Sequence, residues 1–224
     1  MCLNSLFLRP QLTFFLNFLL FLCLQGALAQ EIALLHYEGG GDWYANPTSL
    51  PNLISFCNKN IATKINKTPP TVTSTDVGIM QYPFVHMTGH GNVFFSEEAV
   101  TNLRNYLNSG GFMHIDDNYG MDQYIRPEIK KLFPNEELTE LPASHPIFNT
   151  VYAFPDGLPK IHEHDGKRPL ALGIFKEGRL VLLYTTECDL GDGWENQEVH
   201  NDPEEVRQKA LKMGANLIKY VFEH

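Results

Sequence analysis

Short apolar runs alternate with segments of helical periodicity through the first half of the chain. The runs have the length and near-continuous hydrophobicity of strands buried on both faces. They are residues 31–37, 84–88 and 112–116. Between the last two runs, Val100, Leu103 and Leu107 repeat at helical spacing, with Ser96 as a capping residue and Gly110 after the last turn. This strand–helix–strand order predicts a crossover between parallel strands.

The second half of the chain contains an antiparallel pattern. Apolar runs at residues 171–175 and 179–184 flank a turn with Gly178, which predicts a hairpin. Residues 71–76 are β-prone and polar, which predicts an edge strand or a loop. Further helices are predicted at residues 51–61, at residues 121–132 and after Asp202-Pro203, the last with an apolar face expected to pack on the sheet. The fold class is therefore α/β, with a mostly parallel sheet and a late antiparallel hairpin.

The N-terminal region has the pattern of a secretory signal. Its apolar segment, residues 12–24, is shorter than the about 20 residues that span a bilayer. Ala27 and Ala29 then place small side chains where a signal peptidase cleaves. We expect a signal peptide at residues 1–29, a single domain at residues 30–224, and a secreted or periplasmic protein without a membrane span after cleavage. An uncleaved N-terminal anchor is the alternative.

The net charge and the first glycine-rich loop argue against binding of nucleic acids and of nucleotides. With 17 basic and 26 acidic side chains, the formal net charge is −9, which argues against a nucleic-acid partner. The glycines at residues 39–41 follow a strand as a phosphate-binding loop would, but Asp42 would repel phosphate. Trp43 also occupies a position where a dinucleotide-binding loop needs glycine. We interpret this segment as a turn with an aromatic lid.

Two cysteines lie beyond the expected signal peptide. Cys57 is in line with the apolar face of a predicted helix, so a buried, inert thiol is expected. Cys188 lies between Glu187 and Asp189, whose carboxylates would raise the pKa of its thiol. Neither cysteine is predicted to be a nucleophile, and whether the two pair stays open.

The candidate chemistry follows the second and third apolar runs. On a strand, His114 and Asp116 project from one face, with Asp117 and Asn118 at its C-terminal end. Such groups can bind a divalent metal or act as a general base and its orienting partner, and the alternative is a capping and turn cluster. The catalytic candidates are Asp116, Asp117, His90 and His114. The ligand-binding candidates are Gly89, His90, Gly91, Asn92, Asn118 and Trp43.

A second imidazole pair lies in the loop before the hairpin. If the chain is extended there, His162 and His164 share a face, an arrangement that suits zinc or nickel. The metal candidates are His162, His164 and Asp116, and a divalent metal is the candidate cofactor. The alternative is a solvated polar loop. The acidic residues around Trp194 lack the spacing of an EF-hand calcium loop.

A family resemblance rests on short motifs spread over most of the chain after residue 30. The motifs are Gly40-x-Asp42-Trp43-Tyr44, Gly89-His90-Gly91, Ser96-Glu97-Glu98, Leu103, Tyr106, Gly110-Gly111, Ile115-Asp116-Asp117 and His145-Pro146-Ile147-Phe148. With them the chain resembles the bacterial domain-of-unknown-function family 4159 and, more broadly, the class I glutamine amidotransferase-like fold. The resemblance implies a flavodoxin-like three-layer sandwich, and it carries no established activity.

The chain differs from amidotransferases at the position of the nucleophile, and this difference leaves two candidate functions. In those enzymes the corresponding strand ends in a Gly-x-Cys-x-Gly elbow, whereas here Asp116 stands at about the position of the cysteine. A carboxylate cannot form the glutamyl thioester, so glutaminase activity is not expected. The preferred function is a non-catalytic exported domain that binds a small molecule or a protein partner. The alternative is a metal-assisted hydrolase that uses Asp116 or Asp117 with His90 and His114.

Overall fold

The computed structural model describes residues 31–224, so the predicted signal peptide lies outside the described residues. The strands are β1 (Ile32–His36), β2 (Thr71–Thr73), β3 (Phe84–Gly89), β4 (Phe112–Asp117), β5 (Thr139–Glu140), β6 (Leu170–Lys176) and β7 (Arg179–Thr186). The α-helices are α1 (Ser49–Asn60), α2 (Glu97–Asn108), α3 (Asp122–Leu132), α4 (Leu190–Trp194), α5 (Gln197–His200) and α6 (Glu204–Glu223). Short 3-10 helices occupy Val77–Gln81 and Pro146–Phe148.

The strands form one seven-stranded sheet in the order β2-β1-β3-β4-β7-β6-β5. The neighbours from β2 through β7 run parallel, whereas β6 is antiparallel to both β7 and β5. The mixed α/β class, the mostly parallel sheet and the late hairpin are therefore confirmed. The polar stretch after α1 forms β2, an edge strand.

Helix α2 shows why the predicted crossover forms. The Ser96 side chain accepts a hydrogen bond from the backbone N–H of Ala99, and Glu97 and Glu98 lie in the first turn. Acidic side chains there face the positive end of the helix dipole. Gly110 follows the helix with a φ of 110°, a left-handed conformation that glycine adopts without strain. The chain then reverses into β4, which pairs with β3 in parallel register.

Two hydrophobic cores lie on opposite faces of the sheet, because consecutive strand residues point to opposite sides. On β3, Val85 belongs to the core that contains α2 and α3, whereas Phe84 belongs to the core that contains α1, α4 and α6. Residues Met113 and Phe112 divide between the two cores in the same way on β4. Helices therefore cover both faces of the sheet.

Helix α6 packs in the second of these cores, as its apolar periodicity predicts. Ala210, Met213 and Leu217 are fully buried there. The helix begins at Glu204 with Pro203 as its N-cap, one position later than the predicted start. Among residues 31–224, no helix combines the length and hydropathy that crossing a membrane requires.

Candidate functional site

Polar side chains gather at one edge of the sheet. Strands β1, β3, β4 and β7 are parallel, so their carboxyl ends meet on the same side, called here the C-terminal edge. Ligands of open α/β sheets bind outside this edge. The loops after β1, β3, β4 and β7 all reach this edge. The first three of these loops carry the candidates Trp43, His90 and Asn118.

Asp116 is fully buried on β4, and its carboxyl oxygens are both hydrogen-bonded. The Thr185 hydroxyl donates to Oδ1 at 2.5 Å, and the backbone N–H of Gly191 donates to Oδ2 at 2.6 Å. Burial raises the pKa of the Asp116 carboxyl well above its ordinary value, although both hydrogen bonds oppose the shift. The Asp116 side chain therefore links α4 to the sheet, and its burial favours the protonated, neutral carboxyl.

Asp117 projects from the other face of β4 and stabilises the start of α3. Its Oδ1 accepts the backbone N–H of Met121 at 2.8 Å. Its Oδ2 accepts hydrogen bonds of 3.1 Å from both the Tyr184 and the Thr186 hydroxyl. Burial raises the pKa of this carboxyl too, against the hydrogen bond from Met121. Asp117 therefore has no free oxygen directed to solvent.

His114 is fully buried beside His86, with their Nδ1 atoms 3.2 Å apart. Its Nε2 atom lies 2.9 Å from the Thr185 hydroxyl, which also bonds Asp116. His114 and Asp116 thus share one strand face, as predicted. Burial lowers the pKa of His114 well below its ordinary value and that of His86 to about 3. Both imidazoles are neutral core groups.

His90, in contrast, lies at the surface and pairs with Asp42. Its backbone N–H donates to Asp42 Oδ1 at 2.8 Å, and its ring Nδ1 lies 2.6 Å from Oδ2. Burial alone would raise the pKa of Asp42, but the hydrogen bonds from His90 lower it. The neighbouring Trp43 stacks on His36 with ring centroids 4.3 Å apart. The structure therefore brings His90 to Asp42, and not to His114.

A chain of amide side chains crosses the C-terminal edge. Asn118 is buried; its backbone N–H donates to the Gly89 carbonyl at 3.0 Å, and its side chain accepts from Thr88 at 2.8 Å. Its Nδ2 donates to Asn46, and Asn46 Nδ2 donates to Asp192 Oδ1 at 2.5 Å. The turn after β4 is thereby connected, through Asn46 in the loop after β1, to Asp192 in the segment after β7.

An imidazole–carboxylate cluster forms where the loop before β6 meets the segment that follows β7. Its members are His162, His164, His200, Asp189, Asp192 and Asp202. His162 Nε2 lies 3.0 Å from both oxygens of Asp202, while its Nδ1 lies 3.3 Å from Asp192 Oδ2 and 3.5 Å from Asp189 Oδ2. The hydrogen bonds to Asp189 and Asp192 raise the pKa of His162 to about 10. His164 also contacts Asp189, so the two predicted imidazoles meet at one carboxylate.

The members of this site that are absent from the candidates of the sequence include Asn46, Asp189, Asp192, His200 and Asp202. Asn46 stands alone in its segment, and His200 and Asp202 are two positions apart without the spacing of a known metal or catalytic motif. Asp189 and Asp192 lie in the acidic loop around Trp194. Asn46 and Asp192 are 146 positions apart in the chain. No local spacing pattern reports such a contact.

The turn between β4 and α3 has backbone strain at Tyr119, whose φ is 80°, followed by Gly120 at 108°. A positive φ is unusual for an aromatic residue. The Tyr119 ring is about half exposed and stacks on His164 with centroids 4.2 Å apart. Tyr119 therefore occupies the apex of this strand-to-helix turn and links it to the cluster.

Both described cysteines are buried free thiols. Burial raises the pKa of Cys57 to about 12. Burial, followed by the charges of Asp116 and Asp189, raises the pKa of Cys188 well above its ordinary value. The buried, unreactive environment predicted for Cys57 and the raised pKa predicted for Cys188 are both present, and a thiolate nucleophile is disfavoured at either position.

Two cavities lie away from the C-terminal edge. One of about 520 Å³ is lined by residues 152–160 with Lys209 and Lys212. The other, of about 430 Å³, is lined by residues 80–83, Tyr106 and residues 109–111. Neither includes a candidate residue of the sequence analysis.

The fold and the site define an α/β protein with a parallel sheet whose C-terminal edge is rich in imidazole and carboxylate groups. The family model described as "Domain of unknown function (DUF4159)" matches residues 31–222. The chain therefore belongs to the DUF4159 family, which confirms the family predicted from its motifs. A comparison with curated proteins gave no match.

Proposed function

We propose that the protein binds a ligand at the C-terminal edge and catalyses no reaction there. The observation that carries this proposal is the burial of Asp116, Asp117 and His114, whose hydrogen bonds all lie within the protein. A general base must come within hydrogen-bond reach of the proton that it removes. These three side chains can do so only by giving up their internal partners, which makes them structural supports of the edge.

The exposed groups of the edge suit recognition. In α/β hydrolases the strained strand-to-helix turn carries the nucleophile, whereas here the turn carries Tyr119. The rings of Trp43, His90 and Tyr119 offer flat apolar surface with polar tips, which fits a small polar molecule or a loop of a protein partner. The glycines beside His90 leave backbone groups near such a ligand.

We also propose the flavodoxin-like, amidotransferase-like scaffold implied by the motifs. Its support is the order of the parallel strands, β2-β1-β3-β4-β7, which follows the doubly wound pattern 2-1-3-4-5 when the parallel strands are numbered among themselves. Helices on both faces of the sheet agree with a three-layer sandwich.

Export to the periplasm or the medium is likewise a proposal, supported by the apolar residues 12–24 and the small residues Ala27 and Ala29. N-terminal sequencing of the protein recovered from the exported fraction tests it. A first residue of Gln30 is expected.

A metal-assisted hydrolase is the second candidate. The observation in its favour is the contact of Asp42 with His90, because a carboxylate can orient an exposed imidazole as a general base. His90 would then act from the loop after β3, while Asp116, Asp117 and His114 support the edge.

Hydrolysis assays separate the two functions. The full chain is incubated with p-nitrophenyl acetate, p-nitrophenyl phosphate and glutamine, beside the variants His90→Ala and Asp116→Asn and the control His224→Ala. No turnover above buffer is expected. Turnover that is lost in His90→Ala and retained in the control would establish the hydrolase instead.

Binding is then measured by thermal shift with amino acids, sugars and phosphorylated small molecules as probes. A stabilising probe is expected to lose its effect in His90→Ala or Trp43→Ala. A shift that persists in both variants would place the binding surface elsewhere.

A further inference from the structure

Three side chains of the imidazole–carboxylate cluster converge from separate segments of the chain. His162 lies in the loop before β6, Asp192 on α4 and His200 on α5. Each offers one ligand atom, and these atoms all lie within 4.8 Å of one another. We infer that His162, Asp192 and His200 hold a divalent transition-metal ion.

The distances between the ligand atoms fit one bound ion. Asp192 Oδ2 lies 3.3 Å from His162 Nδ1 and 3.8 Å from His200 Nε2. Metal–nitrogen and metal–oxygen bonds of about 2.0–2.2 Å reach between such atoms, because twice the bond length exceeds each separation. The remaining pair of ligand atoms, on His162 and His200, lies within 4.8 Å, so a small side-chain movement closes the coordination.

Two side chains outside the proposed ligand set, Asp202 and Asn46, already orient two of the three ligands. Asp202 lies 3.0 Å from His162 Nε2, so Nε2 keeps its proton and Nδ1, which releases its own proton when a metal binds, faces the cluster. Asn46 donates to Asp192 Oδ1, which leaves Oδ2 facing the two imidazoles. A carboxylate behind a metal-bound histidine is the usual outer-shell arrangement, so Asp202 and Asn46 are positioning residues.

Asp189 provides a second, independent observation, an unpartnered buried oxygen beside the three ligand atoms. Its side chain is fully buried, and its Oδ1 has no hydrogen-bond partner within residues 31–224. Its Oδ2 faces His162 Nδ1 at 3.5 Å. A buried carboxylate oxygen without a hydrogen-bond partner is costly, and a cation bound beside the carboxylate offsets that cost.

The ligand set selects the class of metal. Calcium and magnesium prefer oxygen ligands alone, whereas imidazole suits zinc, nickel, copper and iron. Two imidazoles and one carboxylate leave coordination positions for water or for a ligand atom. The inference deepens the proposed binding function, since such a metal would anchor a ligand at the same C-terminal edge.

Metal binding is tested separately from turnover. The full chain is stripped with a chelator, and Zn²⁺ is titrated by calorimetry, with Co²⁺ absorption as a report on the coordination. We expect one equivalent of Zn²⁺ to bind. The variants His200→Ala and Asp192→Asn should lose more affinity than the about 10- to 100-fold expected for loss of an outer partner in Asp202→Asn.

The partially exposed His164 and His224 provide matched controls, because each removes an imidazole outside the proposed ligand set. His164→Ala and His224→Ala should keep the one-equivalent binding, and circular dichroism checks that every variant is folded. Absence of stoichiometric Zn²⁺ binding would overturn the inference and identify the cluster as an ion-pair network. Binding lost in His164→Ala but kept in His200→Ala would overturn the ligand set. Either result leaves the hydrolysis assays unaffected, so the two proposals can fail independently.

Discussion

His86 lies inside the sheet, where its ring packs near Trp194 and its Nε2 has no hydrogen-bond partner among the described residues. Burial disfavours the imidazolium and lowers the pKa of His86 to about 3. In the unfolded chain a histidine has an ordinary pKa of about 6.5. The folded protein therefore binds this proton much more weakly than the unfolded chain does.

The contribution of His86 to the free energy of unfolding should consequently fall as the pH decreases from about 6.5 towards 3, since only the unfolded chain gains this proton in that range. Above about pH 6.5 the stabilising contribution of His86 to the free energy of unfolding is fully present. Below that pH this contribution decreases by up to about 1.4 kcal/mol per pH unit. Urea unfolding between about pH 7 and pH 5 measures it. His86→Leu should show a shallower pH dependence than the wild type, and equal slopes would contradict the assignment.

The sequence predicts the strand face on which a single side chain lies, but it does not predict the hydrogen-bond partners of that side chain. Alternation along β4 places His114 and Asp116 on one face, a consequence of the backbone geometry of any strand. That Thr185 joins them, and that His90 turns to Asp42, depends on β7 and on the loop after β1. Those contacts arise between residues distant in the chain.

The β6–β7 hairpin reverses through Glu177 at a φ of 51° and Gly178 at 83°. Two left-handed residues are typical of a type I′ turn, for which Asn-Gly is the favoured pair. The sequence indicates the turn through its glycine, but a glutamate at positive φ is not expected from its preferences. The pairing of the flanking strands imposes this conformation on Glu177.

Glu177→Asn should therefore raise the free energy of unfolding by about 0.5–1 kcal/mol, because asparagine tolerates the left-handed region better. Glu177→Gln is the matched control, since it removes the same charge without the conformational preference. Chemical denaturation of the three proteins provides the comparison. A gain of equal size in both variants would attribute the effect to charge.

Elements with sustained periodicity were predicted, and short ones were not. Helix α2 has a capping serine and an apolar stripe, so its start and face follow from local sequence. Helices α4 and α5 span five and four residues, too few to show a helical period. The hydrogen bond from the Gly191 N–H to Asp116 holds α4 against the sheet, and this contact is tertiary.

Helix α6 crosses α1 and α4 where a glycine permits close approach. A Cβ atom at Gly214 would lie 2.5 Å from Leu53 Cδ1 and 2.9 Å from Trp194 Cε2. Leu53 and Trp194 are fully buried, so neither side chain can move freely. This junction supports α4, and with it Asp192, from beneath the C-terminal edge.

Gly214→Ala should lower the free energy of unfolding by about 1–3 kcal/mol through overpacking. Helix propensity alone predicts the opposite sign, a gain of about 1 kcal/mol. Thermal and urea unfolding distinguish the two, with Lys212→Ala on the exposed side of α6 as the control. A more stable Gly214→Ala protein would show that the junction has spare room.

The α/β class, the crossover from β3 to β4, the hairpin and the family are all readable from periodicity, capping and short motifs, since these are properties of neighbouring residues. Three other features could not be predicted from neighbouring residues. They are the placement of β7 beside β4, the packing of helices on both faces, and the meeting of His162, Asp192 and His200. They depend on which buried surfaces fit together after the chain has folded back on itself. Local backbone preferences carry no information about such long-range packing, and the candidate metal site is assembled by it.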